Sequence, residues 1–324
     1  MQDLSAFARQ IALPEVGDAG QRRLAQAHVL VVGAGGLGCP VLMYLATAGI
    51  GTLTVMDPDR VEATNLHRQP LYSPCEVGAL KVEAAASALR RLAPALRLHA
   101  LPAALGASNV AQRIADVDLV VDAADSFAVS YILSDACFQA GKVLISASVL
   151  GTAGYVGGYC GGAPSLRAVF PDLPERAATC ASAGVMGPVV GMIGAAQAQL
   201  VLQQILATTA PAAGQLLSFD MGQLKTAGFR FDGTPEPADA LPFVSVSHPA
   251  QDQLVVDLRP EREAPETVVQ GAQRILPEEI ATAELPRGRP LILACASGLR
   301  AWQAARVLQT RGYVDLSLHA VTAP

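Results

Sequence analysis

The sequence predicts an α/β fold with a mainly parallel sheet and a second, smaller α/β domain. Three observations support this prediction. Apolar strands alternate with helical segments between residues 28 and 146, a glycine-rich turn follows the first of these strands, and the alternation starts again near residue 254. The length of 324 residues suits one large domain or two ordinary ones.

The first domain alternates strands with helices in chain order. A helix over residues 4–27 leads into the first strand. We predict strands at 28–32, 52–56, 96–101, 119–121 and 143–146, and helices from the glycine turn to 48 and at 79–92, 110–115 and 127–140. Strands joined through helices form a parallel sheet, because each connection must cross back over the sheet.

Beyond Gly151 the pattern changes to short strands that carry glycine and aromatic residues, such as residues 155–159, which indicates an antiparallel extension of the sheet. The longest apolar stretch, residues 185–206, contains four glutamines in its second half and several glycines in its first half. We therefore expect a helix packed on all sides in the core and no membrane span.

Composition excludes several classes of protein. Hydrophobic residues make up 51% and charged residues 16%, which excludes intrinsic disorder. A net charge of −5 disfavours nucleic-acid binding. The first residues contain no apolar signal core and the six cysteines have no disulfide spacing, so we expect a cytoplasmic protein with reduced thiols.

A linker divides the chain. Residues 232–239 contain two prolines, a glycine and acidic residues. Strands at 254–257 and 291–294 and a helix at 301–310 follow it. We predict a first domain over 1–231, a linker over 232–250 and a small α/β domain over 251–324.

The turn Gly33-Ala34-Gly35-Gly36-Leu37-Gly38 lies between a strand and a helix, and Asp57 ends the next strand. Glycines let backbone N–H groups approach a phosphate, the helix N-terminus adds positive charge, and the acid can accept a ribose hydroxyl. This pattern is typical of a Rossmann-like nucleotide-binding fold. Its usual ligand is NAD, and a plain tight turn is the alternative.

Further polar residues favour a triphosphate over NAD. Asn65 and Arg68 follow the acid, and Lys81 opens the next helix. Fixed cations beside a phosphate turn neutralise charge during phosphoryl or nucleotidyl transfer. Asp125 follows a buried strand, where its carboxylate could hold Mg²⁺ or, alternatively, could cap the next helix.

These motifs together resemble the ThiF/MoeB/HesA family, the bacterial relatives of ubiquitin-activating enzymes, over about residues 7–231. The segments that carry the resemblance are residues 9–17, the glycine turn with Cys39-Pro40, and residues 57–59, 65–69, 78–81, 121–125 and 180–188. Two of the later stretches, residues 144–148 and 187–191, look closer to the thiazole branch than to the molybdopterin branch of the family.

The resemblance implies a reaction and its residues. Mg²⁺ and ATP bind, and the C-terminal Gly-Gly carboxylate of a ubiquitin-like sulfur carrier protein attacks the α-phosphate. The family pattern assigns phosphate contacts to the glycine turn and to Asn65, Arg68 and Lys81, the ribose to Asp57, and magnesium to Asp125. It also places Gln69 among the nucleotide-binding residues. Arg9 resembles an arginine that reaches into the partner subunit's site, which implies a homodimer.

Cys180 matches a family cysteine that can form an acyl–sulfur link to the carrier, although adenylation does not require it. The sequence also departs from the family. Ser165 and Ala168 stand where two zinc-binding cysteines are expected, and the second cysteine pair is also missing, so we predict no zinc. Ser126 and Ser130 replace an asparagine and an arginine.

The loop Cys295-Ala296-Ser297-Gly298-Leu299-Arg300 lies between a predicted buried strand and a helix, where backbone N–H groups stabilise a thiolate or persulfide. With residues 256–259 upstream, it resembles a rhodanese domain. The resemblance implies that Cys295 carries sulfane sulfur, supplied by a persulfide donor such as a cysteine desulfurase. A degenerate packing module is the alternative.

The sequence thus predicts an adenylyltransferase for a sulfur carrier of the thiamine-thiazole or molybdopterin type, fused to a rhodanese-like domain. Three alternatives stay open. They are a tRNA-modifying relative that adenylates a small carboxylate, a non-catalytic carrier-binding scaffold, and an NAD enzyme.

Overall fold

The larger of two sheets among the described residues contains eight strands in the order β3-β2-β1-β4-β5-β6-β7-β8. The structure, a computed structural model, describes residues 5–173, 184–246, 250 and 252–323. The parallel part comprises β1 (His28–Val32), β2 (Thr52–Met56), β3 (Arg97–Leu101), β4 (Leu119–Asp122) and β5 (Val143–Leu150). The antiparallel extension comprises β6 (Ala153–Cys160), β7 (Gln215–Asp220) and β8 (Lys225–Arg230).

The strand register aligns the edge at which ligands bind in such sheets. Val32 pairs with both Met56 and Asp122, and Met56 pairs with Leu101. The carboxyl ends of four neighbouring strands therefore lie level with one another. The crevice outside these ends is the usual ligand site of an open α/β sheet. The predicted fold class, a Rossmann-like sheet with an antiparallel extension, is confirmed.

Helices cover both faces of this sheet. Their bounds are α1 (Ala8–Ile11), α2 (Gly17–Gln26), α3 (Gly38–Thr47), α4 (Lys81–Leu92), α5 (Val110–Ile114), α6 (Phe127–Ala140), α7 (Leu166–Val169) and α8 (Gly187–Leu206). Short 3₁₀ turns occupy Ser5–Phe7, Ala63–Arg68 and Pro74–Glu76.

The predicted single helix over residues 4–27 is wrong. The structure has a 3₁₀ turn and the short α1, then a break at residues 12–16 before α2 starts at Gly17. Pro14 lies in this break, and Gly17 has a φ of +52°. Proline lacks an N–H to donate and clashes with the preceding turn, so a continuous helix cannot pass through it.

The prediction that the apolar helix is packed on all sides is also wrong. By length and composition α8 could cross a membrane, yet half of it is buried inside the protein. It packs against α3, β5 and β6, and Gln197 is fully buried. Its other face, which includes Met192 and Gln199, is exposed or half-buried.

The second sheet is parallel and has the order β10-β9-β11-β12. It comprises β9 (Leu254–Asp257), β10 (Gln273–Arg274), β11 (Leu291–Cys295) and β12 (Leu316–Ala320), and α9 (Leu299–Thr310) connects the last two strands. We call residues 252–323 the C-terminal unit. The sequence predicted β9, β11 and α9 and missed β10 and β12.

The segment predicted to be a linker has neither helix nor strand over its described residues 232–246 and 250. It is nevertheless packed against both sheets. Leu241 and Phe243 are buried, and Phe243 forms an isolated β-bridge with Leu318 of β12. One cluster of buried apolar side chains includes residues of both sheets, so the C-terminal unit is docked on the larger sheet.

Candidate active site

A cavity of about 580 Å³ opens at the aligned carboxyl edge of the larger sheet. Most of the residues predicted to bind the nucleotide line it. They are Gly33, Gly35, Gly36, Asp57, Asn65, Arg68, Gln69, Lys81 and Asp125. The fold therefore brings together residues that are spread over more than 90 positions of the sequence.

The glycine turn needs its glycines for two different reasons. Gly33 has a φ of +99°, and a Cβ on Gly38 would overlap the Gly33 carbonyl oxygen. A Cβ on Gly35 would meet only the Gln69 amide at 3.6 Å. Gly38 is not among the residues lining the cavity; it starts α3 and is packed against the Gly33 backbone.

Asp57 is buried beneath the glycine turn. Its Oδ2 accepts the backbone N–H of Ala34 at 2.7 Å and its Oδ1 accepts that of Asp59 at 2.8 Å. Burial raises the pKa of this carboxyl, and the nearby Lys81 ammonium opposes that shift. Each carboxylate oxygen keeps a lone pair, which a ribose hydroxyl could use.

Two cations face the cavity from neighbouring elements. Lys81, the first residue of α4, has a side chain that is only 8% exposed, and its Nζ lies 2.8 Å from Asp59 Oδ2. The Arg68 guanidinium donates to Asn65 Oδ1 at 2.6 Å. Both cations are thus held by neighbouring acceptors, and a more highly charged anion in the cavity could compete for them.

The side chain of Gln69 brings a hydrogen-bond acceptor oxygen to the cavity wall. The residue is 3% exposed, and its Oε1 has no hydrogen-bond partner in the described part of the chain. Buried polar atoms are almost always hydrogen-bonded, so an orphaned oxygen at a cavity indicates a place for a donor from a ligand or a bound water.

Asp125 lines the cavity together with Ser126 and Ser130, the two departures from the family pattern. Ser126 is the N-cap residue of α6 and makes no side-chain capping bond. Asp125 is not that cap, so the capping alternative is wrong. Its carboxylate can serve a ligand or a cation.

Sequence reasoning missed Asp122 as a site residue. This carboxyl is fully buried under the cavity floor, where its Oδ2 accepts the hydroxyl of Ser146 at 2.7 Å and its Oδ1 accepts the N–H of Ala124 at 3.2 Å. Burial raises its pKa to about 6. The available signal was an acidic residue within the otherwise apolar strand of residues 119–122.

The cavity also has an aromatic arm that the sequence did not predict. Tyr131, Tyr155 and Phe170 line it, and the rings of Tyr155 and Phe170 stack at 4.9 Å. Asp172 and Thr322 complete its wall, and Thr322 belongs to the C-terminal unit. The arm leads from the phosphate end of the cavity towards the second sheet.

Besides Gly38, two further predicted residues, Arg9 and Cys295, are not among the residues lining this cavity. Arg9 lies exposed on α1 and is not part of its own chain's cavity wall. Cys180 lies outside the described residues. Cys295 ends β11 in the C-terminal unit, fully buried, and its Sγ accepts the N–H groups of Gly298 at 3.1 Å and Ala301 at 3.4 Å.

Charged groups surround the Cys295 loop. The Arg300 guanidinium forms two hydrogen bonds to the Glu263 carboxylate at 2.6 and 2.7 Å, which raise the pKa of Arg300 and lower that of Glu263. Two backbone N–H groups aimed at the sulfur are the arrangement that stabilises a thiolate or a persulfide anion.

The positions at which zinc ligands were expected hold a hydrogen-bonded pair. Ser165 donates its hydroxyl to Glu236 Oε2 at 2.5 Å and its N–H to Oε1 at 2.7 Å. No group of three or more His, Cys, Asp or Glu side chains suited to a metal occurs among the described residues. The absence of zinc stays a prediction.

Comparison with known proteins gives consistent matches. The model of the ThiF family matches residues 7–238. Over 221 residues the chain is 42% identical to the adenylyltransferase and sulfurtransferase MOCS3 of Aedes aegypti, covering 67% of this chain and 51% of that protein. It is 41% identical over 229 residues to a sulfur carrier protein adenylyltransferase of Thermus thermophilus, covering 68% and 84% of the two chains.

Solved structures show the same fold at low sequence identity. Escherichia coli MccB, crystallised with MccA, has a TM-score of 0.65 at 21% identity, with 74% of each chain covered. PaaA has a TM-score of 0.60 at 20% identity, with 71% of this chain and 74% of that chain covered. This chain spans about half the length of the MOCS3 relatives.

Proposed function

This chain belongs to the ThiF family, and from that premise we propose that it is an ATP-dependent adenylyltransferase acting on a ubiquitin-like sulfur carrier protein. The single observation that carries the proposal is the convergence of the Arg68 and Lys81 cations on the glycine turn, inside one cavity. These groups suit a triphosphate, whose charge must be neutralised while pyrophosphate leaves.

The residues present also fit magnesium. Mg²⁺ is usually held by one or two carboxylates together with substrate phosphates and waters, and Asp125 offers one carboxylate in the cavity wall. When bound, the ion would neutralise phosphate charge. Asp57 would hold the ribose, and the glycine turn would present N–H groups to phosphate oxygens.

In the proposed reaction the C-terminal carboxylate of the carrier attacks the α-phosphorus of ATP. A carboxylate oxygen forms the new P–O bond, and pyrophosphate leaves with the electrons of the bond that breaks. The aromatic arm formed by Tyr131, Tyr155 and Phe170 supports this reading, because it gives an extended Gly-Gly tail a way to the phosphate end of the cavity. No protein nucleophile is needed, so catalysis consists of positioning and charge neutralisation.

Sulfur transfer is the second part of the proposal. The C-terminal unit resembles a rhodanese domain in placing Cys295 at the end of a parallel strand, with N–H groups from the next helix turn on its sulfur. Cys295 would carry a persulfide received from a persulfide donor such as a cysteine desulfurase. The carrier would leave as a thiocarboxylate for a thiazole-type or molybdopterin-type pathway, and Cys180 would form a transient acyl–sulfur link.

We further propose a cytoplasmic homodimer in which Arg9 contributes to the partner's site, with domains over 1–231 and 251–324. The half-exposed face of α8 and the exposed ring of Tyr44 support an interface between copies of the chain. The exposed position of Arg9 is compatible with a role in the other copy. Neither nucleic acid nor a membrane is a proposed partner.

The test is carrier-dependent exchange of pyrophosphate into ATP. Exchange should require both the enzyme and a carrier that ends in Gly-Gly, and a carrier lacking its last glycine is the control. Absence of exchange would favour a non-catalytic scaffold, a result that the serines at 126 and 130 make worth testing. Exchange with a small carboxylate alone would favour a tRNA-modifying relative, and tight NAD binding without ATP binding would favour a dehydrogenase.

A further inference from the structure

We infer that the C-terminal unit forms one wall of the adenylation cavity of its own chain, so that Cys295 delivers sulfur to the acyl-adenylate held by the same chain and not by another copy. This inference rests on the proposed function. It adds the route of the sulfur, which the family assignment leaves open.

Thr322 connects the two sites. It lines the adenylation cavity, and it also hydrogen-bonds to Ala296, the second residue of the cysteine loop, donating both its N–H at 3.1 Å and its hydroxyl at 3.0 Å to the Ala296 carbonyl. The adjacent Val321 donates its N–H to the carbonyl of Cys295 at 3.0 Å. A single short segment therefore contacts the sulfur loop on one side and the cavity on the other.

Arg306 on α9 holds the rim of the cavity to the C-terminal unit. Its guanidinium pairs with Asp172, which lines the aromatic arm, at 2.9 Å, and with Asp239 of the linker segment. The guanidinium also lies 5.3 Å from the centre of the Trp302 ring. This arginine thus joins α9, the linker segment and the cavity rim of the same chain.

The docking is also apolar. Phe243 is buried, pairs with Leu318, and lies so close to Gly298 of the cysteine loop that a Cβ there would come within 2.6 Å of its ring. Leu241 is buried beside it, and its carbonyl accepts a hydrogen bond from Arg167 at 3.0 Å. These buried contacts hold the cysteine loop beside the cavity wall of its own chain, which favours delivery within the chain over delivery to another copy.

Sulfur transfer from Cys295 to the carrier requires one external reagent, a thiol reductant. The terminal sulfur of the Cys295 persulfide attacks the acyl carbon, and AMP leaves with the electrons of the C–O bond. Where Cys180 has first taken the acyl group and released AMP, the Cys180 thiolate leaves instead. Either route gives an acyl disulfide to Cys295. Two equivalents of a thiol reductant then cleave the S–S bond, which releases the thiocarboxylate and the Cys295 thiol and forms the oxidised reductant.

The first experiment uses a mixture of two full-length variants, Cys295→Ala and Asp125→Ala, which are co-expressed with different tags and purified through both tags so that each dimer contains one copy of each. The mixed dimer is incubated with ATP, carrier, a persulfide donor and dithiothreitol. Thiocarboxylate is measured by mass spectrometry. We expect the mixture to yield less than about a tenth of the wild-type rate, because neither chain holds both halves of the reaction. A rate near half that of the wild type would overturn the inference.

Two controls separate this outcome from failure of the proposed function. The Cys295→Ala protein should retain carrier-dependent pyrophosphate exchange, and the Asp125→Ala protein should still acquire a persulfide on Cys295. If the wild-type protein forms no thiocarboxylate, sulfur transfer itself is wrong. If the wild type is active and the mixture is too, only delivery within one chain is wrong.

A second experiment tests the shared wall without any sulfur chemistry. Thr322→Trp places a bulky ring at the cavity wall, and we expect the KM for the carrier in pyrophosphate exchange to rise at least several-fold. Thr282→Trp, at an exposed position of the same unit, is the matched control and should change little. Equal KM values for Thr322→Trp and the wild type would overturn the inference.

Discussion

Replacing Lys81 with methionine should nearly abolish adenylation while leaving the fold intact. Methionine keeps the apolar stem of a side chain that is only 8% exposed, and removes the ammonium that lies 2.8 Å from Asp59. Because Asp59 is 63% exposed, its carboxylate can be rehydrated when its partner is lost. The free energy of unfolding should therefore fall by no more than about 1 kcal/mol.

The effect on catalysis should be much larger. Two unit charges about 4 Å apart interact by about 4 kcal/mol at the effective dielectric near a protein surface. Lys81 must leave its ion pair with Asp59 to contact a phosphate oxygen, so the loss of that ion pair offsets part of this energy. Removing the ammonium should therefore raise the activation free energy by roughly 3–4 kcal/mol, or slow the reaction about 10²–10³-fold. This is the effect of removing one preorganised hydrogen-bond donor to the charge that develops in a transition state.

The assay is carrier-dependent pyrophosphate exchange, with thermal unfolding measured on the same preparations. Lys225→Met removes a lysine from the exposed strand β8 and is the matched control, with wild-type exchange expected. A Lys81→Met protein that keeps more than about half the wild-type kcat/KM would refute the view that this cation neutralises phosphate charge, because it would correspond to less than about 0.5 kcal/mol.

Three further predictions concern stability and the nucleotide turn. Burial raises the pKa of Asp122 to about 6, so this carboxyl binds its proton more tightly in the folded protein than in the unfolded chain. The free energy of unfolding should therefore fall as pH rises from about 4 to about 6. Asp122→Asn should flatten that part of the Tm–pH curve, and an unchanged slope would contradict a raised pKa at Asp122. Glu236→Gln removes the carboxylate that accepts two hydrogen bonds from Ser165, so it should lower the free energy of unfolding by about 1–3 kcal/mol. A metal chelator should leave the wild-type Tm unchanged, and a Tm that drops with chelator would reveal a structural metal. Gly38→Ala should lower Tm, because its Cβ would overlap the Gly33 carbonyl oxygen. Gly35→Ala should leave Tm unchanged and raise the KM for ATP. The reverse pattern would contradict the roles given to these two glycines.

Local signals made the nucleotide end of the site predictable. The strand, glycine turn and helix between residues 28 and 48 are contiguous, and their pattern depends on the backbone needs of neighbouring residues. Asn65, Arg68 and Lys81 could be found because they follow that turn in a recognisable order. The structure places all three in the wall of one cavity.

The rest of the site depends on contacts between distant parts of the chain. Thr322 reaches the cavity only because the C-terminal unit docks on the larger sheet, and nothing in its neighbouring residues indicates this. Asp122 lies in a strand that otherwise reads as apolar, so its hydrogen bonds to a serine of the next strand could not be predicted. Likewise, the exposed face of α8 depends on which neighbours cover it, and the sequence does not show this, because one of its glutamines, Gln197, is buried while another, Gln199, is exposed.

Attack of the carrier's carboxylate on the α-phosphorus of ATP is the central claim, and an oxygen-18 experiment tests it most directly. The carrier is labelled with oxygen-18 in its C-terminal carboxylate and incubated with the enzyme and ATP. A thiol then cleaves the acyl-adenylate at the acyl carbon and releases AMP. AMP should acquire one oxygen-18 atom, because the carboxylate oxygen stays on phosphorus when the acyl group leaves. Unlabelled AMP, or label found only in inorganic phosphate, would contradict it.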